Sequence, residues 1–318
     1  MIDIQDAIGL ATTRDEIVGY KTRYSYSPIV ELVRAAVRRR TLTIVLGAGV
    51  STALKLPQWN ELIEDLYTEI YKEIDPTLSI SDIIKMREKG YANTTMVRHL
   101  ETLLGYSFGV RSMARDILYR SFWEKGSAQL IEPLCDIFLR TGAVAPVSHV
   151  ITYNFDNAVE RHLKRLKRKD IVSIYSNATY PLQSGGLRIY HPHGFLPYKD
   201  DDLEDAACKE SVVFSERDYN LHFMDPGHWA NILQLHHFMN RTCLFVGVSL
   251  TDPNVRRLLD HAREKTGPVV RHVSIQKTKG SRLADMFVER DFHSLGVATL
   301  WVPDYSNIPD VLKACATS

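Results

Sequence analysis

Glycines and short polar side chains follow several apolar runs of the chain, and their types and spacing are suited to chemistry. The first group, Gly47-Ala48-Gly49-Val50-Ser51, follows the apolar run 42–46. Glycines after a strand let backbone amides approach a phosphate at a helix N-terminus, where the helix dipole favours negative charge. The third glycine of the dehydrogenase fingerprint is missing, because position 52 is Thr. The group predicts a phosphate-binding turn outside the hydride-transferring dehydrogenases, with a plain tight turn as the alternative.

A second polar group closes the apolar run 149–152. Asn154 and Asp156 lie two residues apart there, so their side chains can face the same side. In open α/β sheets, ligands bind at the carboxyl ends of the strands. Both residues are therefore candidates for binding or catalysis. The alternative is that Asp156 caps the helix beginning at Asn157 and that Asn154 is a turn residue.

Two histidines, His191 and His193, end another strand beside Gly194. A histidine with a pKa near 6.5 suits the role of a base, and its position at a strand end lets it reach into a crevice. A metal site built on the His-x-His pair is the alternative. No nearby Cys, Asp or Glu has the spacing of further ligands, so we predict no metal.

The last group, Gly247-Val248-Ser249, ends the apolar run 243–246. Gly247 permits a close approach of the backbone, and Ser249 can donate a hydrogen bond to a phosphate or a ribose. Asp252 followed by Pro253 is typical of a helix N-cap with proline at the first helical position. We therefore expect Asp252 to be structural, although it lies at the same edge of the sheet.

These groups need a frame of strands separated by helices, and the hydrophobic pattern predicts one. Strand patterns occur at 42–46, 149–152, 172–175, 187–190, 212–214, 243–246, 269–275 and 297–302. Helical patterns separate several of them, at 158–166, 228–239, 253–264, 282–290 and 308–315. This alternation predicts an α/β fold with a Rossmann-like parallel sheet and helices on both faces. From about 60 to 140 the pattern is helical throughout, which predicts an inserted helical subdomain. We expect an N-terminal helical segment at 1–40 and one catalytic domain at 41–318.

Composition restricts the class of protein. The 318 residues carry 39 Lys and Arg against 38 Asp and Glu, and 45% are hydrophobic, as in ordinary globular proteins. The net charge of +1 argues against a dedicated nucleic-acid-binding protein. No run approaches the roughly 18 apolar residues of a membrane-spanning helix, and Asp3 and Asp6 interrupt any secretory signal. The four cysteines form no C-x-x-C pair, which favours reduced thiols and a cytoplasmic location.

In combination and in this order, the motifs resemble those of the sirtuin-like NAD-consuming family. That family's signature is GAG-x-S, three residues, G-I-P-D-F-R, then a strand ending in N-x-D, then H-G, then G-T-S. This chain has Gly47 to Ser51, three residues, Lys55-Leu56-Pro57-Gln58-Trp59-Asn60, then Asn154-Phe155-Asp156, His193-Gly194 and Gly247-Val248-Ser249. The resemblance spans about residues 41–303, and four motifs in order are specific although each alone is weak.

The resemblance implies a role for each matching residue, with NAD as the substrate and no metal. It implies that the turn at 47–51 binds the pyrophosphate, through Gly47, Ala48, Gly49 and Ser51. It implies that Asn154 binds the ribose or places the attacking water, and that Asp156 contacts the carboxamide. His193 is implied to pull on a ribose hydroxyl or to act as base. Gly247 and Ser249 are implied to complete the adenosine side.

Departures from the family pattern narrow the expected activity. Lys55, Gln58 and Asn60 replace Gly, Asp and Arg of the G-I-P-D-F-R motif, and the four-cysteine zinc module of the protein deacylases is absent. The chain is more similar to bacterial sirtuin-like proteins of antiphage defence, such as effectors of the Thoeris type. That likeness implies hydrolysis of NAD to ADP-ribose and nicotinamide, which depletes NAD in the infected cell. An NAD-dependent protein deacylase and a non-catalytic nucleotide sensor or scaffold are the alternatives.

The same likeness implies control of the activity, since a constitutive NAD hydrolase would poison its own cell. We therefore expect a homo-oligomer, a regulatory partner from a defence system, or both. The candidate surfaces are the N-terminal segment with Arg38, Arg39 and Arg40, and the helical insertion at about 60–140.

Overall fold

A seven-stranded, wholly parallel sheet forms the centre of the fold. The computed structural model describes residues 28–105, 108–122, 129–139, 147–177, 186–198, 208 and 211–316. The strands are β1 (Leu42–Leu46), β2 (His149–Thr152), β3 (Ile171–Ile174), β4 (Leu187–Tyr190), β5 (Thr242–Val246), β6 (His272–Lys277) and β7 (Val297–Val302). Their order across the sheet is β3-β4-β2-β1-β5-β6-β7, and all neighbours run parallel. The predicted Rossmann-like α/β fold is confirmed.

Helices precede, interrupt and follow the strands. They are α1 (Pro28–Arg38), α2 (Trp59–Ile74), α3 (Ile80–Glu88), α4 (Asn93–Leu103), α5 (Phe108–Leu118), α6 (Ile131–Leu134), α7 (Ala158–Arg165), α8 (Glu216–Met224), α9 (Trp229–Asn240), α10 (Pro253–Thr266), α11 (Arg282–Ser294) and α12 (Ile308–Ala316). A π-helical turn, Cys135–Leu139, extends α6. Within the described ranges, no helix is long and apolar enough to cross a lipid bilayer.

The central strand shows why a continuous apolar run becomes a strand here. All five residues of β1 are buried, since helices cover both faces of a parallel sheet. Ile44 and Leu46 face one hydrophobic core, and Val45 faces the other, as the two-residue period of a strand requires. β1 pairs with β2 on one side and with β5 on the other. The residues that follow these three strands therefore emerge side by side.

Helices α2 to α6 lie between β1 and β2, where the sequence predicts a helical insertion. The side chains of Leu62, Leu66 and Ile70 are buried on one face of α2, and that of Leu100 on α4 is likewise buried. Leu103, three residues further along the same face of α4, is 42% exposed. It lies at the end of α4, where that face leaves the core.

Two predicted features differ in the structure or fall outside it. The strand predicted at 212–214 is wrong: these residues form an irregular buried segment that leads into α8, a helix the pattern did not predict. Of the predicted N-terminal segment 1–40, residues 1–27 lie outside the described ones. Helix α1 packs against α12, β1 and β5. The domain boundary near residue 40 stays a prediction.

Buried histidines make the stability of the fold depend on pH. Burial lowers the pKa of His149, His222 and His272 from 6.5 to about 4 in each case. The unfolded chain therefore binds more protons below pH 6.5, and stability falls as the pH drops from about 6.5 to about 4. Burial also raises the pKa of Asp156 to about 6, which opposes this trend between about pH 6 and 4. We expect the melting temperature at pH 5 to lie at least about 5 °C below that at pH 7.5.

Thermal unfolding across this pH range measures the effect, and His272→Asn is the matched variant. The ring of His272 accepts a hydrogen bond from the backbone amide of Cys243 through Nδ1, at 3.1 Å. Asparagine retains an acceptor at this position but does not titrate, so the variant should lose stability less steeply on acidification. A melting temperature that stays constant from pH 7.5 to 5 would show that these histidines are not held in the neutral form.

Candidate active site

The four predicted groups meet along one edge of the sheet. Their strands β4, β2, β1 and β5 are consecutive neighbours, and each group follows the carboxyl end of its strand. His193, Asn154, Gly47 and Gly247 therefore follow one another across this edge. The sequence does not reveal this adjacency, because Gly47 and Gly247 are about 200 positions apart in it.

The glycines of the first and last groups pack backbone against backbone. A Cβ on Gly47 would lie 2.5 Å from the carbonyl oxygen of Gly247, and one on Gly49 would lie 2.9 Å from the Cα of Gly247. Gly247 itself has φ +68°, in the left-handed region that favours glycine. The close approach predicted for Gly247 is thus an approach to the turn after β1, and it joins the two loops.

Most amides of the turn at 47–51 are engaged within the protein. Those of Gly47 and Gly49 donate to the carbonyl oxygens of Val246 and Gly247, at 3.2 Å in both cases. Those of Val50 and Ser51 donate within the turn. Ala48 is exposed, and its amide has no backbone acceptor among the described residues. Pyrophosphate binding by this turn stays a prediction.

Asn154 connects the end of β2 to the same turn. Its side chain is buried, and its Nδ2 donates to the carbonyl oxygen of Gly47 at 3.1 Å and to Ser51 Oγ at 3.2 Å. Both amide hydrogens are therefore used inside the protein. Oδ1 is the atom of Asn154 that is left to accept a hydrogen bond from a ribose hydroxyl or a water.

Asp156 supports the start of a helix and has a raised pKa. Its Oδ1 accepts a hydrogen bond from the backbone amide of Ala158, the first residue of α7, at 2.9 Å. The N-cap of that helix is Asn157, so Asp156 supports the helix start from one position earlier than a cap. Burial raises its pKa to about 6, and the nearby carboxylate of Glu160 adds to the increase, while a hydrogen bond from Ser51 opposes it. A contact to the carboxamide of a ligand stays a prediction.

His191 and His193 have different surroundings and do not converge on one site. His191 is fully buried, with Nε2 2.8 Å from Glu160 Oε1 and Nδ1 3.3 Å from the carbonyl oxygen of Asn154. It supports the backbone of Asn154 from beneath the site. Within the part of the chain that the structure describes, no group of three or more His, Cys, Asp or Glu side chains is arranged to hold a metal.

His193 lies among aromatic and acidic side chains at the site edge. Its Nε2 is 3.5 Å from Asp252 Oδ2, and its ring centroid lies 4.9 Å from that of Tyr153 and 5.8 Å from that of Tyr219. Burial lowers the pKa of His193, and the Asp252 carboxylate partly offsets this. The imidazole is therefore neutral near pH 7, which is the form that accepts a proton.

Asp252 performs the predicted capping role and also faces the site. Its Oδ1 accepts hydrogen bonds from the amides of Asn254 and Val255, at 2.8 and 2.9 Å. Its Oδ2 accepts a hydrogen bond from the hydroxyl of Tyr219 and faces His193. The expectation that Asp252 is only structural was therefore incomplete.

Ser249, the last predicted site residue, lies further out. It is exposed, and its Oγ is 2.8 Å from Thr251 Oγ1. Its assignment to the adenosine side stays a prediction. Lys55 adopts φ +59°, in the left-handed region where the resembled signature carries glycine.

Helix α8 supplies site residues that the sequence reading missed. Tyr219 and His222 lie on it and line a pocket together with His193, Asn231 and Gln234. The pattern Ser215-Glu216-Arg217-Asp218 could have revealed this helix, because it forms a capping box in which Ser215 accepts from the amide of Asp218. Hydrophobic residues recur only weakly at helical spacing in α8, so the hydrophobic pattern does not predict this helix.

Comparison with known families agrees with this arrangement. A family model described as a SIR2-like domain matches residues 148–293, from β2 to the end of α11. This part of the chain is similar to a SIR2-like domain. The matched range holds Asn154, His193 and Gly247. The turn at 47–51 precedes it and lies beside these residues because β1 pairs with β2 and β5.

Two curated proteins are similar over much of the chain. One is the NAD(+) hydrolase ThsA of Enterococcus faecium, 22% identical over 308 residues, which cover 90% of this chain and 57% of the relative. The other is Defense-associated sirtuin 2 of Bacillus subtilis, 25% identical over 229 residues, which cover 71% of this chain and 20% of the relative. The chain spans just over half of one relative and a fifth of the other.

Proposed function

We propose that this protein is an NAD glycohydrolase that cleaves NAD to ADP-ribose and nicotinamide, and that it acts in antiphage defence by depleting NAD. The observation that carries the proposal is that a neutral His193 and the free acceptor Oδ1 of Asn154 follow neighbouring strands, β4 and β2, at the same edge of the sheet. The similarity to an NAD(+) hydrolase and to a defence-associated sirtuin supports it.

The reaction places modest demands on the protein. The bond between ribose and nicotinamide is already activated, because the pyridinium nitrogen takes the bonding electron pair and leaves as a neutral base. Water forms the new bond to the anomeric carbon and must lose one proton. The site must hold the ribose, place the water and accept this proton in a cavity that otherwise excludes water.

The described side chains can meet these demands. Asn154 Oδ1 accepts a hydrogen bond from the water or from a ribose hydroxyl, and so fixes its orientation. His193 accepts the proton that the water loses, because burial keeps its pKa below 6.5. No general acid is required, so the single histidine suffices where ordinary glycosidases use two carboxyl groups.

Release of nicotinamide from NAD tests the proposal directly. Purified protein is incubated at high concentration with NAD, with and without an acetylated peptide, and in excess chelator. We expect nicotinamide and ADP-ribose to form at equal rates in all three reactions, and faster than with the His193→Ala variant. Strict dependence on the acetylated peptide would indicate a deacylase, and no product above a protein-free blank would indicate a binding protein.

We further propose that the activity is gated, by a second copy of this chain or by a partner from a defence system, and that the protein is cytoplasmic. Both relatives are longer than this chain, which leaves room for control elements in them. The candidate surfaces here are the basic end of α1, with Arg39 and Arg40 exposed, and the inserted helices α2 to α6.

A further inference from the structure

We propose that Asp252 and Tyr219 are positioning residues that set the tautomer of His193. This inference rests on the proposed hydrolase activity and adds two residues to it. The geometry is a chain of three side chains: the Tyr219 hydroxyl donates to Asp252 Oδ2, and the same oxygen lies 3.5 Å from His193 Nε2. These side chains come from α8, from the start of α10 and from the loop after β4.

A carboxylate opposite Nε2 holds the ring proton on that nitrogen. The lone pair is then on Nδ1, which can take the proton that water loses as it bonds to the anomeric carbon. The ring becomes an imidazolium, and the Asp252 carboxylate stabilises that positive charge. The proton later passes to solvent, so the cycle needs no further reactant.

Asp252 is held in place by more than this one contact. Its other oxygen, Oδ1, accepts the two amides at the start of α10, which fixes the carboxylate plane relative to the helix. The Tyr219 hydroxyl donates to the other oxygen, Oδ2, and so holds it as well. A cap alone would need only Oδ1, so the placement of Oδ2 between a tyrosine and a histidine calls for a second role.

Asp252→Asn separates the two roles, because asparagine caps a helix as well as aspartate does. Oδ1 of the new side chain can keep the two amides, which places its NH2 group opposite His193 Nε2. That group donates to Nε2 and forces the ring proton onto Nδ1, where it blocks proton uptake from water. We expect kcat for nicotinamide release to fall roughly 10- to 100-fold, with little change in KM or melting temperature. Tyr219→Phe should lower kcat less, by a few-fold.

A matched control is Asp304→Asn, at the same edge of the sheet. Asp304 caps the short helix after β7 through the amide of Ser306, at 3.0 Å, and pairs with Lys277. It makes no contact with His193 among the described residues. We expect kcat in this variant to stay within about twofold of the wild type.

The pH profile of kcat gives a readout that a purely structural role would not move. The titratable groups that face His193 are Tyr153 after β2, Tyr219 and His222 on α8, and Asp252. Burial raises the pKa of both tyrosines, which keeps them neutral, and the pKa of His222 is about 4. Asp252 is the group that raises the pKa of His193, so the acid limb should move to lower pH in Asp252→Asn.

NMR of protein with 15N-labelled histidine tests the proposal without relying on turnover. We expect the proton of His193 on Nε2 in the wild type and on Nδ1 in Asp252→Asn. Wild-type protein with the proton on Nδ1, or an Asp252→Asn variant with full kcat while His193→Ala is inactive, would overturn the proposal. Wild-type protein that releases no nicotinamide above a protein-free blank would instead refute the proposed function, and the NMR result would still decide the role of Asp252.

Discussion

Replacing His193 by alanine is expected to lower the rate of nicotinamide release by roughly 100- to 10,000-fold, because the variant lacks the group that accepts the proton of the attacking water. The melting temperature should change by only a few degrees. The His193 side chain retains partial exposure, at 16%, and its ring packs at a tilt against the rings of two tyrosines. Initial rates at saturating NAD and thermal unfolding measure the two effects separately.

The control for this variant is His261→Ala. His261 lies on α10 with a side chain that is 47% exposed, away from the described site, so the same substitution there should leave turnover unchanged. Turnover of His193→Ala within a few-fold of the wild type would contradict its assignment as the base. A loss of activity in His193→Ala that appears only above its melting temperature would also contradict this assignment.

Replacing Asn154 by alanine is expected to lower the rate about 100-fold or more, through loss of the acceptor that orients the water or the ribose. The structure also predicts a loss of stability. Its side chain donates to Gly47 and Ser51, and their oxygens would be left without these donors, at a cost of about 1–3 kcal/mol. Activity must therefore be measured well below the melting temperature of the variant.

Asn157→Ala is the matched control for the loss of stability in Asn154→Ala. Asn157 is also buried, and its Oδ1 accepts hydrogen bonds from the Tyr119 hydroxyl and the Tyr198 amide. We expect a similar loss of stability with a much smaller loss of rate. If both asparagine variants lost activity in proportion to their loss of stability, Asn154 would be a structural residue of the turn.

The sequence predicted the sheet well because each of its strands is short, apolar and buried on both faces. Six of the eight predicted strand positions coincide closely with observed strands, and that at 269–275 overlaps β6 (His272–Lys277). The wrong strand, at 212–214, is apolar for another reason: Val212, Val213 and Phe214 fill the core beneath the site without pairing in the sheet. Apolar character alone does not distinguish these two cases.

For the site, the sequence predicted which residues follow the strands but not how they contact one another. The interlocking of Gly47 with Gly247, the donors of Asn154 and the second oxygen of Asp252 all depend on contacts between segments about 30 to 200 residues apart. Local capping and turn preferences carry no information about such contacts. Asp252 is an example. The Asp252-Pro253 pair correctly predicts a helix cap, but it does not predict that the second carboxylate oxygen lies near His193.

The position of β1 at the centre of the sheet affects how the protein can be synthesised. Its residue Leu46 pairs with Thr152, about 100 residues later, and its residue Leu42 pairs with Thr242, about 200 residues later. At typical translation rates, β1 leaves the ribosome roughly 5 to 20 s before its first partner and up to about 40 s before its second. During this time an almost wholly apolar segment has no strand to pair with. Helices α2 to α5, which pack on one another, are synthesised in this interval and can form before either partner strand. We therefore expect β1, the strand that precedes the glycine turn, to be the segment most prone to aggregation while the chain is being made.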